Sequence, residues 1–395
     1  MTTATPNPKR KRLLLIAAGV FILLAIAYAV WWAMFGSHYE STDDAYVHGN
    51  LVQITPQVAG TVVAIEADDT DTVKAGQPIV RIDPADADVA LQQAEAQLAQ
   101  SVRQTRTRYV QNDSLAANVE VRQAEIERAQ AELNRAQSDL KRRQDLARSG
   151  GVSGEEILHA QTTLKSAQSG LAQARAALSA AQAELATNQA LTHGTDVANH
   201  PDVLHAAAAV RRAWLDKSRT VLPAPVDGMV ARRSVQVGQR VAPGSVLMNV
   251  VPLDQLWIEA NFKEGQLRKM RIGQPATLTA DLYGDSVTYH GRIVGLDAGT
   301  GSAFALLPAQ NATGNWIKVV QRVPVRIQLD AAELKQHPLR VGLSMNVEVD
   351  IADQEHGQAL TSAARTEPAW STRAFEPSHD DADQQIAKII QANLQ

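Results

Sequence analysis

The side chains that could do chemistry in this chain are carboxylates, histidines, lysines and hydroxyls, because it contains no cysteine. That absence excludes thiol catalysis, iron–sulfur clusters and cysteine-based zinc sites. No two of the ten histidines form a His-x-x-x-His pair, and no phosphate loop or Gly-x-Ser-x-Gly elbow occurs. The sequence therefore predicts a protein that is not an enzyme and binds no cofactor. A net charge of −4 gives no reason to expect nucleic-acid binding.

Two polar clusters could be taken for metal sites, and each has a simpler interpretation. The acidic cluster comprises Asp68, Asp69 and Asp71, and the histidine cluster comprises His193, His200 and His205. A calcium loop needs more oxygen ligands and a following bidentate glutamate, so the acidic cluster is expected to be a solvated hairpin tip. The histidines lie beside Gly194 and Pro201, where polar residues are expected at a helix break.

Arg142, Leu146 and Ser153 form the candidate binding group. Arg142 and Leu146 are four residues apart, so they share one helix face about one turn before Gly150. Ser153 follows on the other side of the predicted turn. A cationic donor, an apolar contact and a hydroxyl would thus gather at one point. The alternative is that Ser153 only caps a helix and that Arg142 is an ordinary solvated residue.

The element that must position this group is a helical arm over residues 85–220, with its tip at about 147–154. Seven-residue repeats occupy both helices of the arm. In the first helix they are Leu91, Leu98, Thr105, Asn112, Val119, Ile126, Leu133, Leu140 and Ala147, and in the second Ile157, Leu164, Leu171, Leu178, Leu185 and Thr192. This spacing predicts a long antiparallel coiled-coil hairpin, whose first helix would reach about 100 Å.

Local signals define the ends of the two helices. Gly150 and Gly151 end the first helix, and Ser153 with Glu156 predicts a capping box that opens the second. Polar residues at or near the seam are expected to weaken a two-helix interior and to favour packing between arms of neighbouring subunits. They are Thr105, Arg108, Asn112 and Arg122.

The sequences on either side of the arm are copies of each other without a gap. The matching pairs are Val58 with Val226, Gly60 with Gly228, Val62 with Val230, Val73 with Val241, Gly76 with Gly244, and Pro84 with Pro252. The segments 57–84 and 221–252 are therefore predicted to form two halves of one β-sandwich, with Gly60 and Gly76 at turns. The pattern resembles a biotinyl/lipoyl domain, but Lys74 lies inside the first half and is misplaced for modification.

The amino terminus predicts a membrane anchor. Residues 1–12 carry the basic run Lys9–Arg12 and form a short cytoplasmic stub, and the uncharged residues 13–35 are long enough to span a bilayer once as a helix. The alternative is a cleaved signal peptide with a site near Ala27–Ala29. Residues 36–56 are expected to be a periplasmic linker and the first strand.

The part after the second half predicts a small β-barrel over 253–352, because short strands alternate with glycine, proline and aspartate turns. The loop 297–315 is expected to be either a partner contact or a plain insertion. A polar tail over 353–395 follows. It ends in a short amphipathic helix with Ile386, Ile389, Ile390 and Leu394 on its apolar face.

This multidomain α+β arrangement resembles the membrane fusion (periplasmic adaptor) proteins of the HlyD family, in its EmrA branch. The segments that carry the resemblance are Thr42–Val47, Trp257–Lys263, Gly301–Phe304 and Leu306–Arg322. It implies a non-enzymatic adaptor, anchored in the bacterial inner membrane with its bulk in the periplasm. Such adaptors form homo-oligomeric rings that link a proton-driven, EmrB-type major-facilitator pump to a TolC-like outer-membrane channel, for multidrug efflux of hydrophobic toxicants.

The resemblance also gives Arg142, Leu146 and Ser153 a role, since their spacing is similar to the tip motif with which adaptors meet TolC-like channels. Two other functions stay open at this point. One is an adaptor of an ABC-type (type I) protein secretion system, and the other is a lipoyl or biotinyl carrier of an enzyme complex.

Overall fold

The computed structural model describes residues 8–34, 38–301, 303, 320–354, 368–375 and 379–394. The helices are α1 (Pro8–Met34), α2 (Ala85–Ala147), α3 (Gly154–Thr192), α4 (Pro201–Ser218), α5 (Ala331–Gln336) and α6 (His379–Leu394). The strands before the arm are β1 (Tyr39–His48), β2 (Val52–Ile54), β3 (Gly60–Ile65), β4 (Thr72–Val73) and β5 (Pro78–Ile82). Those after it are β6 (Val221–Pro223), β7 (Gly228–Ala231), β8 (Arg240–Val241), β9 (Met248–Val251), β10 (Trp257–Lys263), β11 (Pro275–Ala280), β12 (Thr288–Leu296), β13 (Arg322–Leu329) and β14 (Ser344–Asp350).

The chain divides into two compact units. One comprises Met1–Ile82 and Val221–Glu376, and the other comprises Asp83–Thr220 and Pro377–Gln395. The helical arm is therefore inserted between two parts of a β-rich unit, as the sequence predicted.

The two copied segments interleave into one β-sandwich. Its sheets have the orders β2-β9-β7-β4 and β6-β5-β3-β8. The second sheet takes two strands from each half, whereas the first takes β4 from one half, β7 and β9 from the other, and β2 from the segment just before residue 57. The pairing is reciprocal: Gly60 pairs with Val241, and Val73 pairs with Gly228. The predicted two-half, lipoyl-like module is confirmed.

The turns of the sandwich obey the same symmetry. Gly76 and Gly244 hold matching positions with φ of +83° and +82°. Thr70 (φ 77°) matches Gly238 (φ 84°), so a β-branched residue occupies a left-handed turn that its counterpart fills with glycine. The expectation of a turn at Gly60 was wrong, because Gly60 begins strand β3.

The acidic turn has a charged partner, which the sequence interpretation as a solvated tip missed. The Arg233 side chain donates to Asp68 Oδ1 over 2.6 Å, and its backbone N–H donates to Asp69 Oδ1 over 2.7 Å. The hydrogen bond from Arg233 lowers the pKa of the Asp68 carboxyl below its ordinary value. Asp71 instead caps the turn, since its Oδ2 accepts from the Asp68 backbone over 2.9 Å.

The predicted barrel is closed and has the strand order β1-β10-β13-β12-β11-β14. The expected range 253–352 omitted one of its strands, because β1 closes the barrel between β10 and β14. Ala45 and Val47 of β1 are fully buried in its core with Phe262 and Tyr289. Sequence spacing did not indicate this, since both partners of β1 lie beyond the inserted arm.

The arm is the predicted hairpin, and its seam positions are buried or half-buried along both helices. The 63 residues of α2 would extend about 95 Å at the usual rise per residue. The expected break in the second helix lies between Thr192 and Pro201, where α3 ends and α4 begins.

The polar seam residues are used inside the arm. The Asn112 amide donates to Thr192 Oγ1 over 2.7 Å, and the Asn188 amide donates to Asn112 Oδ1 over 2.9 Å. Arg108 pairs with Asp202 of α4 at 2.7 Å. These contacts fix the register of the two helices. Arg108 and Asn112 thus have partners within one chain, and Arg122 pairs with Glu125 of its own helix at 3.0 Å. Packing between the arms of neighbouring subunits stays a prediction.

Helices α1 and α6 lie towards the two ends of the chain. The predicted membrane helix, residues 13–35, coincides with α1 as far as Met34, and Phe35 lies outside the described residues. The described apolar side chains between Leu13 and Tyr28 are exposed. Within the described residues, no helix combines the length and the hydropathy that a membrane crossing requires. At the other end, α6 belongs to the unit that contains the arm. Most of the expected 297–315 loop and of the Leu306–Arg322 segment lies outside the described residues.

Candidate docking site at the hairpin tip

The tip of the arm is a tight turn built around the Leu146 carbonyl. Its oxygen accepts from the Ser149 N–H over 3.1 Å, from Ser149 Oγ over 2.7 Å and from the Gly151 N–H over 3.2 Å. Gly150 has a φ of +77°, which allows the chain to reverse without Cβ strain. The backbone of Leu146 therefore holds the turn together, while its side chain remains 48% exposed.

Ser153 opens the return helix as predicted. Its Oγ accepts from the Glu156 N–H over 3.3 Å, and its own N–H donates to Glu156 Oε2 over 3.0 Å. This reciprocal pair is a complete capping box. The Ser153 hydroxyl consequently already has a structural task, although the residue is exposed.

Arg142 differs from the neighbouring arginines in its contacts. Arg143 pairs with Asp139 at 2.8 Å and Arg148 with Asp145 at 3.5 Å, whereas Arg142 makes no ion pair with any residue that the structure describes. Its side chain is exposed and stands one turn from Leu146 on the same helix. The structure thus presents an unpaired cation and an exposed leucine side by side at the end of the arm.

The other candidate residues serve local structure. The buried His200 caps α4: its Nδ1 accepts from the Asp202 N–H over 3.2 Å, and its Nε2 lies 3.0 Å from the Leu191 carbonyl. His193 and His205 are exposed. Lys74 lies in the turn after β4, where its carbonyl accepts from the Gln77 N–H over 2.9 Å. Among the residues that the structure describes, no cluster of potential ligands could hold a metal ion.

The arm and the whole chain both match known proteins. The family model described as "EMRA, alpha-helical hairpin domain" matches residues 85–220. Over 93% of its length, the chain is 46% identical to the multidrug export protein EmrA of Escherichia coli (strain K12), of which it covers 91%. The chain belongs to the EmrA family of membrane fusion proteins.

Two further proteins are similar to this chain. The fatty acid resistance protein FarA of Neisseria gonorrhoeae is 49% identical over 87% of the chain, which covers 84% of FarA. Among solved structures, a periplasmic adaptor protein EmrA aligns with 79% of this chain and 98% of its own, at a TM-score of 0.41 and 19% identity.

Proposed function

We propose that this EmrA-family chain is the periplasmic adaptor of a tripartite multidrug efflux system. In this proposal it links a proton-driven, EmrB-type major-facilitator pump in the inner membrane to a TolC-like channel in the outer membrane. Relatives named for multidrug export and for fatty acid resistance support export of hydrophobic compounds. Several copies would form a ring around the transport path, and the chain itself would catalyse no reaction.

The observation that carries the proposal is the chemistry at the end of the arm. A helix of about 95 Å ends in a turn that is closed by hydrogen bonds to the Leu146 carbonyl, yet Arg142 and the Leu146 side chain stay exposed there. Desolvating one apolar side chain beside one cation suits a small protein–protein contact, in which leucine supplies buried area and arginine supplies directed hydrogen bonds. We assign this surface to the outer-membrane channel.

The membrane topology is part of the same proposal. The basic run Lys9–Arg12 would remain in the cytoplasm, α1 would anchor the chain by a single crossing, and everything after it would lie in the periplasm. The described apolar side chains between Leu13 and Tyr28 are exposed, which supports an environment of lipid around this helix. Protease added to spheroplasts should digest the chain beyond about Gly36, and full protection would refute the topology.

The docking assignment is tested by Arg142→Asp and Leu146→Asp, made separately. The chain provides matched controls lower on α2. Arg128 occupies the same heptad position two repeats before Arg142, and it is also exposed and free of ion pairs among the described residues. Val121 is an exposed apolar residue on the same helix, at 56% exposure. Arg128→Asp and Val121→Asp place the same new charge about 20–40 Å from the tip.

Each tip variant should abolish drug resistance and copurification of the channel, with protein level, anchoring and pump association unchanged. Each control variant should behave like the wild type. If both tip variants still confer full resistance and still copurify the channel, the assignment is wrong. If the controls fail as well, the helix rather than its tip was damaged.

Ser153 needs a variant that separates the cap from the contact. Asparagine and aspartate cap helices about as well as serine, so Ser153→Asn retains the cap while it removes the hydroxyl. Loss of channel binding in Ser153→Asn, at unchanged helix stability, would assign the hydroxyl to docking. Retained binding would leave Ser153 as a cap alone.

A further inference from the structure

The C-terminal helix α6 presents one apolar face to the arm. Ala382 and Ile386 are buried, Ile389, Ile390 and Asn393 are half-buried, and their spacing follows one side of a helix. Leu394, which the sequence assigned to this face, is 38% exposed, and Asn393 takes its place. The helix α6 is therefore amphipathic, and its apolar face packs on another surface of the protein.

That surface is a groove between α2 and α4 near the base of the arm. The groove is lined by side chains that form one core with α6: Leu91, Ala94, Leu98, Val102, Val203, Ala206, Ala207 and Val210. The two adjacent alanines of α4 leave space for longer side chains, and Ile386 packs into this core at 6% exposure. The groove thus has the small-residue floor and apolar walls that bind an amphipathic helix.

Polar contacts fix the direction of α6 in the groove. Arg211 donates to Asp383 Oδ1 from Nε (3.1 Å) and from Nη2 (2.6 Å). Arg103 of α2 donates to Asn393 Oδ1 over 2.5 Å, near the other end of α6. The Arg211–Asp383 pair is about half exposed, so it selects orientation more than it adds affinity.

The apolar contact of α6 with the groove rests on three isoleucines, Ile386, Ile389 and Ile390. An isolated helix of the length of α6, which has 16 residues, is marginal in water, so α6 gains most of its helical structure from the groove. The helix α4, on which α6 packs, is separated from α3 by a break. Losing α6 would expose the part of the buried face of α4 that α2 does not cover.

We infer that α6 is a detachable clip, an amphipathic-helix ligand carried in cis that holds α4 against α2 and stiffens the base of the arm. When the clip is docked, α4 continues the second half of the hairpin as a packed helix. When the clip is released, α4 loses part of its core. The groove is therefore a helix-binding site, and it recognises the isoleucines and Asp383 of α6.

The binding test uses the chain with residues 377–395 deleted and a fluorescent synthetic peptide of residues 379–394. The peptide should bind the deleted chain saturably and the full chain at least tenfold more weakly, because the cis helix competes at high effective concentration. An Ile386→Ala peptide should bind about thirtyfold more weakly or worse, since it loses a buried anchor. An Asp383→Arg peptide should bind several-fold more weakly, and Arg211→Asp in the chain should restore its binding.

Equal binding of the peptide to the full and deleted chains, or an Ile386→Ala peptide that binds as well as the parent, would overturn the inference. The full-length variant Ile386→Asp provides a second test that does not depend on the deletion. Hydrogen exchange should accelerate for amides 203–210, while those of the tip turn stay unchanged. Unchanged exchange in α4 would equally contradict the clip.

A cellular test rests on the proposed function. If the arm carries the docking tip, Ile386→Asp should lower drug resistance while Arg142 and Leu146 remain intact. Should the tip assignment fail, peptide binding and hydrogen exchange still decide whether the clip exists.

Discussion

Adding a single methyl group at Gly228 should destabilise the β-sandwich. A Cβ at this position would lie 2.5 Å from the Val251 carbonyl oxygen, 2.8 Å from its carbonyl carbon and 2.9 Å from Val250 Cγ1. The obstacle is mainly backbone of the neighbouring strand β9, so rotamer changes cannot remove it. Gly228 is buried and lies within β7, so the reason for glycine here is close approach between strands and not a turn.

The cost follows from the required displacement. Ordinary contacts begin near 3.4 Å, so β9 must move by nearly 1 Å or β7 must bend, and such overpacking costs about 1–3 kcal/mol. Because backbone must yield, Gly228→Ala should fall in the upper half of that range. For a unit of this size the loss corresponds to a Tm lower by about 4–12 °C. Gly228→Val adds two further methyl groups and should cost more.

Differential scanning calorimetry of the full chain measures this effect, with Gly295→Ala as the matched control. Gly295 also lies in a strand, and a Cβ there would meet nothing within 4 Å. We expect the control to change Tm by no more than about 2 °C. If Gly228→Ala unfolds at the wild-type temperature, the described approach of β9 to β7 is wrong.

Three further predictions concern turns and titrating groups. Thr70→Gly should stabilise the sandwich by about 1 kcal/mol, because glycine adopts a φ of 77° without the steric strain of a β-branched residue, as Gly238 does at the matching position. An unchanged or lower Tm would show that Thr70 is not strained. The pKa of Asp68 is lowered by Arg233, so the stabilising contribution of the Asp68 carboxylate should be complete above about pH 4 and should disappear as the pH falls through the lowered pKa. Asp68→Asn should therefore flatten the acid side of a plot of Tm against pH. An unchanged acid side would show that the Asp68–Arg233 pair does not stabilise the fold. Burial raises the pKa of Tyr289 to about 12, so barrel stability should decrease as the pH rises from about 10 through 12, and Tyr289→Phe should remove that alkaline loss in denaturant titrations.

The features that could be predicted from the sequence depend on residues close together in the chain or on repeated patterns. The heptads of α2 and α3 predicted the hairpin because a helix places residues of one face at fixed short spacing. Ser153 and Glu156 predicted a cap because both partners lie within one turn. The copied segments predicted one module because each half needs the other to complete its two sheets.

What was missed depends on contacts between distant parts of the chain. β1 carries a strand pattern, but nothing within it indicates that its partners are β10 and β14. Arg233 is far along the sequence from the acidic turn to which it donates a hydrogen bond, and Asn112 has its hydrogen-bond partners on the opposite helix. The apolar face of α6 was visible in the sequence, yet its groove is shaped by two other helices.

We propose above that the end of the arm contacts an outer-membrane channel. Site-specific photocrosslinking measures this directly, with the photoreactive residue placed at Leu146 or, as a control, at the exposed Val121 about 38 Å lower on α2. Irradiation of living cells should yield an adduct with a TolC-like channel at position 146 and little or none at position 121. Equal yields at both positions, or no channel adduct at position 146 in cells that express both proteins, would contradict the account.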